Sequence, residues 1–289
     1  MNRRIKTLKN RELLAGISFR RGPAQWQKAL ASCTGMEGLF SCAELPPSAL
    51  EQDKLKTALS KAPWVDSWHL ADSISASLSR SAAEQSPKIV AEFKAHFYHH
   101  MIRAVEAGAS SLHLDLGLEM AEREPRLLES RIALLKSLAA ALHGRGIVLC
   151  LPLRLPSNSP GASDFALRCL RAAGHPAVRL AVDFYPHELP RIRPVAELLR
   201  AVRFDAEIVR ICYEPELGNH LTLPLLGPCL DYWSKNLCRG SVLFAPATSD
   251  QDRFHSEAAS IASIFSEWRN SLPGKSSMER MEKNVEAGS

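Results

Sequence analysis

Several things are missing from this chain. No apolar run reaches the roughly 18 residues needed to span a bilayer. The first residues, Met1-Asn2-Arg3-Arg4-Ile5-Lys6, are basic, but no apolar signal core follows them, so a cytoplasmic protein with no membrane partner is the default expectation. The seven cysteines (Cys33, Cys42, Cys150, Cys169, Cys212, Cys229, Cys238) are odd in number, scattered, and never spaced Cys-x-x-Cys. That removes a disulfide framework and a zinc ribbon; several sit in apolar strand-like runs and read as reduced, buried small hydrophobes. No glycine-rich phosphate loop follows the first strand, where the sequence is Phe19-Arg20-Arg21-Gly22-Pro23 rather than G-x-G-x-x-G. A dense basic face is missing too. The net charge of +5 is dispersed, partly in the N-terminal Arg3, Arg4, Lys6 and Lys9. An excess of this size suits a small anionic substrate and argues against a nucleic-acid partner.

What is present is a repeating strand–helix register. The chain has 289 residues, 46% of them apolar, enough for one large α/β barrel or two ordinary domains. The register is plainest from Met101 to Pro156. A helix ends at Glu106-Ala107-Gly108, a strand Ser111–Leu116 follows, a long helix runs to about His143, and a Gly-Arg-Gly turn leads into the strand Ile147–Pro152. Short links between such elements imply parallel strands with covering helices. Further strands are expected at 13–19, 38–45, 65–70, 177–184, 207–213 and 241–246, with the serine-rich 71–86 as a loop. Helices are expected from Pro23, from Ser48 to about Ala62, from Pro87 to about Gly108, at 162–173, 197–203 and 221–237, and from 251 to 272. The strands are continuous apolar runs, as expected where both faces are buried. Eight such units close into a single-domain (β/α)8 TIM barrel over residues 11–272, with a basic tail at 1–10 and a polar, disorder-prone tail at 273–289. A doubly wound open sheet is the alternative.

In a barrel of this kind the active site lies at the C-terminal ends of the strands. Those ends carry Arg20 and Arg21, Glu44, His69 and Asp72, His113, Asp115 and Glu119, Arg154, Asp183 and His187, then Arg210, Tyr213 and Glu214. Acids, histidines and arginines at one mouth can bind a polyol or an anionic sugar and supply acid/base pairs. Each has a plainer alternative. Glu44 can pair with Arg20 or Arg21, and His69 and His113 can be hydrogen-bonded core residues. His187 can be an ordinary loop residue, and His99-His100 reads as helix surface plus packing. Asp183, closing the apolar run 178–182, is costly there unless paired or functional. Trp26, Trp64 and Trp68 read as core or rim.

The segment 104–117 (Ala-Val-Glu-Ala-Gly-Ala-Ser-Ser-Leu-His-Leu-Asp-Leu-Gly) resembles the fourth unit of xylose isomerase-like TIM barrels, the sugar isomerases and epimerases related to the apurinic endonucleases. Residues 135–149 resemble their following helix and strand, Gly38 to Leu45 with its Glu44 their second strand, and Ser67-Trp68-His69 their third. The resemblance spans about Glu12 to Leu272. It implies a divalent metal held by acids and histidine from strands five to eight. Asp183 fits, and His187 lies one residue beyond the expected place. Strand five, however, ends in Leu151-Pro152-Leu153-Arg154, strand seven reads Arg210-Ile211-Cys212-Tyr213-Glu214, and strand eight has no acid, so the ligand set is incomplete and the cofactor open. Two functions follow. The first is an isomerase or epimerase of a sugar or sugar acid, working by proton transfer next to a carbonyl. Glu44, His113 and Asp183 would be catalytic, and His69, Arg154, Arg210 and Glu214 would contact the substrate. The second is a diverged, non-enzymatic barrel that binds a small anionic ligand or a protein partner. A nuclease would need several zinc ligands, which the sequence does not supply. A homo-oligomer is compatible with either function.

Overall fold

The eight apolar runs form eight parallel strands that close on themselves in chain order, β1 pairing with β8 (Leu14 opposite Ser241, Ile17 opposite Phe244). The computed structural model describes residues 14–36, 39–52, 55–60, 62, 65, 67–71, 87–155, 162–188, 200, 202, 204–236 and 240–272. Both expected tails, Asp72 and the rest of the serine-rich segment, Trp64, Cys238, the side chain of Glu119 and most of the expected 197–203 helix lie outside them. The strands are β1 Leu14–Ser18, β2 Cys42–Leu45, β3 Ser67–Ala71, β4 Ala109–His113, β5 Val148–Leu155, β6 Val178–Phe184, β7 Ala206–Tyr213 and β8 Ser241–Pro246. The helices are α1 Trp26–Ser32, α2 Leu55–Leu59, α3 Pro87–Ala107, α4 Leu118–Ala121, α5 Pro125–His143, α6 Ala162–Ala173, α7 Leu223–Asn236 and α8 Gln251–Ser271. The closed order sets the open-sheet alternative aside. Among the described residues no helix is long and apolar enough to cross a membrane.

Alternation along each strand sends one residue out to the helices and the next into the barrel. The outward set is large and apolar. Phe19 stacks on Phe254 of α8 with ring centroids 5.1 Å apart, and Phe184 meets Trp233 of α7 edge-on at 5.5 Å. Trp26 and Trp68 join this core, and the six described cysteines are buried thiols outside any disulfide. Near one end the inward set is an apolar cluster of Cys42, Cys150, Ala181, Ile208 and Leu243. Gly16 belongs there because β1 and β2 approach closely. A Cβ on it would stand 2.1 Å from the Cys42 carbonyl oxygen.

Boundaries differ from the sequence reading in two ways that matter. β4 ends at His113, so Asp115 lies beyond the strand, and β5 runs on to Leu155, so Arg154 is a strand residue. Where a single helix was expected from Ser48, a 3₁₀ turn Pro47–Ala49 precedes the short α2. His100 is buried against Glu51 at 3.3 Å while His99 is exposed, in keeping with surface plus packing. Asp250 caps α8, its carboxylate accepting the Arg253 amide at 2.7 Å.

Candidate functional site at the barrel mouth

The inward residues of β7 are Ile208, Arg210 and Cys212, and Arg210 reaches the barrel axis. It is 1% exposed. Its Nε–H donates to both oxygens of Glu44, at 3.0 and 2.7 Å; its Nη1 bonds Asp183 and its Nη2 contacts both ring nitrogens of His113, Nδ1 and Nε2. The Ser18 hydroxyl donates to Glu44 Oε2 at 2.6 Å. His113 Nδ1 faces Glu44 Oε1 at 3.1 Å. The His113 ring thus lies between the Glu44 carboxylate and the Arg210 guanidinium, its Nδ1 in contact with both. Taking charges out of water costs several kcal/mol per ion unless geometry and further hydrogen bonds offset it. Here two carboxylates, one guanidinium, an imidazole and a hydroxyl satisfy one another.

The electrostatics follow. Burial, the largest single influence, would raise the fully buried Glu44 carboxyl, but Arg210, His113 and Arg20 together outweigh it and hold the group well below the usual carboxylate range. Burial would lower the Arg210 guanidinium, and Asp183 and Glu44 reverse that. His113 is pushed down to about 4, first by burial and then by Arg210, so it is neutral at pH 7. His69, one strand over and opposite Glu44, is pushed down to about 3, mainly by burial. Its Nδ1 pairs with Ser111 Oγ at 2.8 Å and its Nε2 has no partner among the described residues.

Above this hub, the residues after β1 strap the mouth. Arg20 reaches Asp183 at 3.2 Å, while Arg21 reaches Glu214 at 2.9 Å and the Tyr185 hydroxyl at 3.2 Å. Arg154 pairs with Glu188 and lies 3.8 Å over the Tyr185 ring.

The expected divalent metal does not fit these residues. The acids that would hold it are bonded to guanidinium groups, and a fixed positive charge stands between them. Among the described residues no group of three or more His, Cys, Asp or Glu is placed to hold an ion. His187, expected to partner Asp183 as a ligand, sits exposed on the 3₁₀ turn Pro186–Glu188, lowered by burial and by its neighbour His220.

An opening lies off the axis. The β4–β5 ladder stops at His113 opposite Cys150, with a last bond from the Leu114 amide to the Cys150 carbonyl at 3.0 Å. Two residues on, Pro152 has no N–H to continue it, and β5 goes on paired with β6 alone. The parted ends enclose a cavity of about 240 Å³. Its walls are mostly apolar, including Leu116, Leu118, Pro152 and Phe165, with Asp115, Arg154 and Asp183 as its charged groups.

Of the sequence-selected residues, the structure joins Glu44, His113, Asp183 and Arg210 directly and sets His69 beside them. Arg154, Glu214 and His187 lie outside that hub. Glu44 pairs with Arg210, not with Arg20 or Arg21. Ser18, Tyr185 and Glu188 were not selected. Ser18 was discoverable as the inward neighbour of the outward Ile17 and Phe19, whereas Tyr185 and Glu188 carry no local signal.

No family model matches the chain, and no curated protein matches it in sequence. Solved structures match in shape. D-allulose 3-epimerase from Methylomonas sp. aligns with a TM-score of 0.66 and 16% identity, covering 88% of this chain and 98% of that one. An AP endonuclease, family 2, from Brucella melitensis gives 0.63 and 15%, covering 87% and 98%. A xylose isomerase-like TIM barrel protein from Mycobacterium smegmatis, in complex with magnesium, gives 0.58 and 14%, covering 89% and 97%.

Proposed function

We propose, for a chain that has the xylose isomerase-like barrel fold, that it binds a small sugar-like or anionic molecule at the mouth without a divalent metal. The observation carrying this is the Arg210 guanidinium, buried on the axis and bonded to Glu44, Asp183 and His113. A residue so placed supplies the positive charge the acids require, and it cannot leave. It also removes Glu44 and His113 from acid/base work, because both are buried and Glu44 stays ionised. Proton transfer needs a group that can reach substrate and change charge near neutral pH.

A second reading, a metal-independent isomerase acting on a sugar or sugar acid, is favoured by one fact. Asp183 is the only hub carboxylate with an exposed edge, 20% of its side chain, and it lines the cavity. The experiment is metal analysis of purified protein with a thermal-shift and turnover screen of sugars, sugar acids and sugar phosphates. The expected result is no bound metal and a raised melting temperature with a subset of ligands. Stoichiometric metal together with epimerase activity would overturn the proposal, as would a screen in which nothing moves the melt. Metal-free turnover abolished by Asp183→Asn would replace the first reading by the second.

A further inference from the structure

We propose that the cleft between β4 and β5 binds a small hydroxy monocarboxylate, with Arg154 as its carboxylate anchor and Asp115 as its hydroxyl acceptor; Glu188 occupies the anchor until the ligand displaces it. This rests on the ligand-binding reading above and names the ligand class.

Size comes first. At ~30 Å³ per water-sized volume the cavity of about 240 Å³ has room for on the order of ten non-hydrogen atoms. Polarity comes second. The walls are mostly apolar apart from Asp115, Arg154 and Asp183, so a fully hydroxylated sugar would press several hydroxyls against carbon. The charged groups stand apart in role. Asp183 already accepts from Arg20 on one oxygen and from Arg210 on the other. Asp115 gives one oxygen to the Gly117 amide at 2.8 Å, and the other has no partner among the described residues.

Arg154 is the informative residue. Its side chain and that of Glu188 are each 40% exposed, and a pair so wet contributes little. Its Nε–H is nevertheless buried with no acceptor among the described residues. A buried orphan donor calls for an explanation. A carboxylate that draws the guanidinium off Glu188 toward the cleft supplies the acceptor and forms a two-pronged bond, the geometry guanidinium groups favour. Glu188 then acts as a built-in competitor.

The test is calorimetric titration of the full chain with α-hydroxyisovalerate, a branched hydroxy acid of about eight non-hydrogen atoms matched to the cavity. Isovalerate and D-xylose are the comparators. The hydroxy acid should bind. Glu188→Gln should tighten it severalfold by removing the competitor, and Arg154→Gln should weaken it by about tenfold or more. Asp115→Asn should weaken the hydroxy acid but not isovalerate, which lacks the hydroxyl. Glu188→Gln is a gain of affinity, so loss of folding cannot imitate it. No binding to either wild type or Glu188→Gln overturns the inference, as does binding indifferent to Arg154→Gln. Binding of D-xylose alone overturns it while leaving the ligand-binding reading intact. Stoichiometric metal on the axis overturns that underlying reading instead.

Discussion

Replacing Arg210 by methionine tests the hub directly. Methionine keeps much of the side-chain length and deletes the charge. Glu44, with no exposed surface, then loses its permanent cation and keeps only the Ser18 hydroxyl and the neutral His113 ring, while Asp183 keeps Arg20. Removing one partner of a buried ion pair costs about 3–5 kcal/mol. In a domain of this size that lowers the melting temperature by roughly 10 °C. The pH dependence distinguishes this cause from simple misfit. In the native protein Glu44 is depressed, so its contribution is present above the unfolded carboxyl value of about 4.3 and is lost only as pH falls through its lower native value. Without Arg210, burial dominates and raises the group. The native variant then holds a proton that the unfolded chain releases, and its stability falls as pH rises above about 4.3. The gap between the two proteins should therefore be wide at pH 8 and narrower at pH 5 in calorimetric melts. Glu44→Gln combined with Arg210→Met should recover much of the loss, because no bare charge remains. A variant that melts within about 2 °C of the wild type at pH 8 would refute the reasoning. So would a gap that does not depend on pH.

The buried histidines predict acid sensitivity. His113 and His69 are lowered to about 4 and about 3 by burial, so below the unfolded value of about 6.5 the unfolded chain binds protons that the native state refuses. Melting temperature should fall steadily from pH 6.5 towards pH 4, and His69→Gln should flatten that slope; an unchanged slope counts against the assignment. Gly16→Ala should abolish soluble expression, since its Cβ would stand 2.1 Å from a backbone oxygen of β2, whereas Gly144→Ala, which meets nothing within 4 Å, should leave the melt unchanged. Swapped results would show that β1 and β2 can part more easily than their contact implies.

The architecture was largely legible in the sequence. Apolar runs such as Val148–Leu151 and Val178–Val182, separated by helical stretches with proline and glycine at the joints, specify doubly buried parallel strands through local chemistry alone. The placement of function at the C-terminal strand ends then selected Glu44, His113, Asp183 and Arg210 as mouth residues. Their partnership was not legible. Glu44 and Arg210 lie 166 positions apart, and they meet only because eight strands close and the β6–β7 register sets Asp183 against Arg210. Pro152 was visible as a residue, but its effect was not. Only the closed barrel shows that it faces β4, where a missing N–H lets two strands separate and leaves a cavity between them. Hydrophobic period and turn chemistry act over a few residues and so can be read along the chain. A buried charge cluster depends on which distant side chains the closure brings within about 3 Å, and only the tertiary structure decides that.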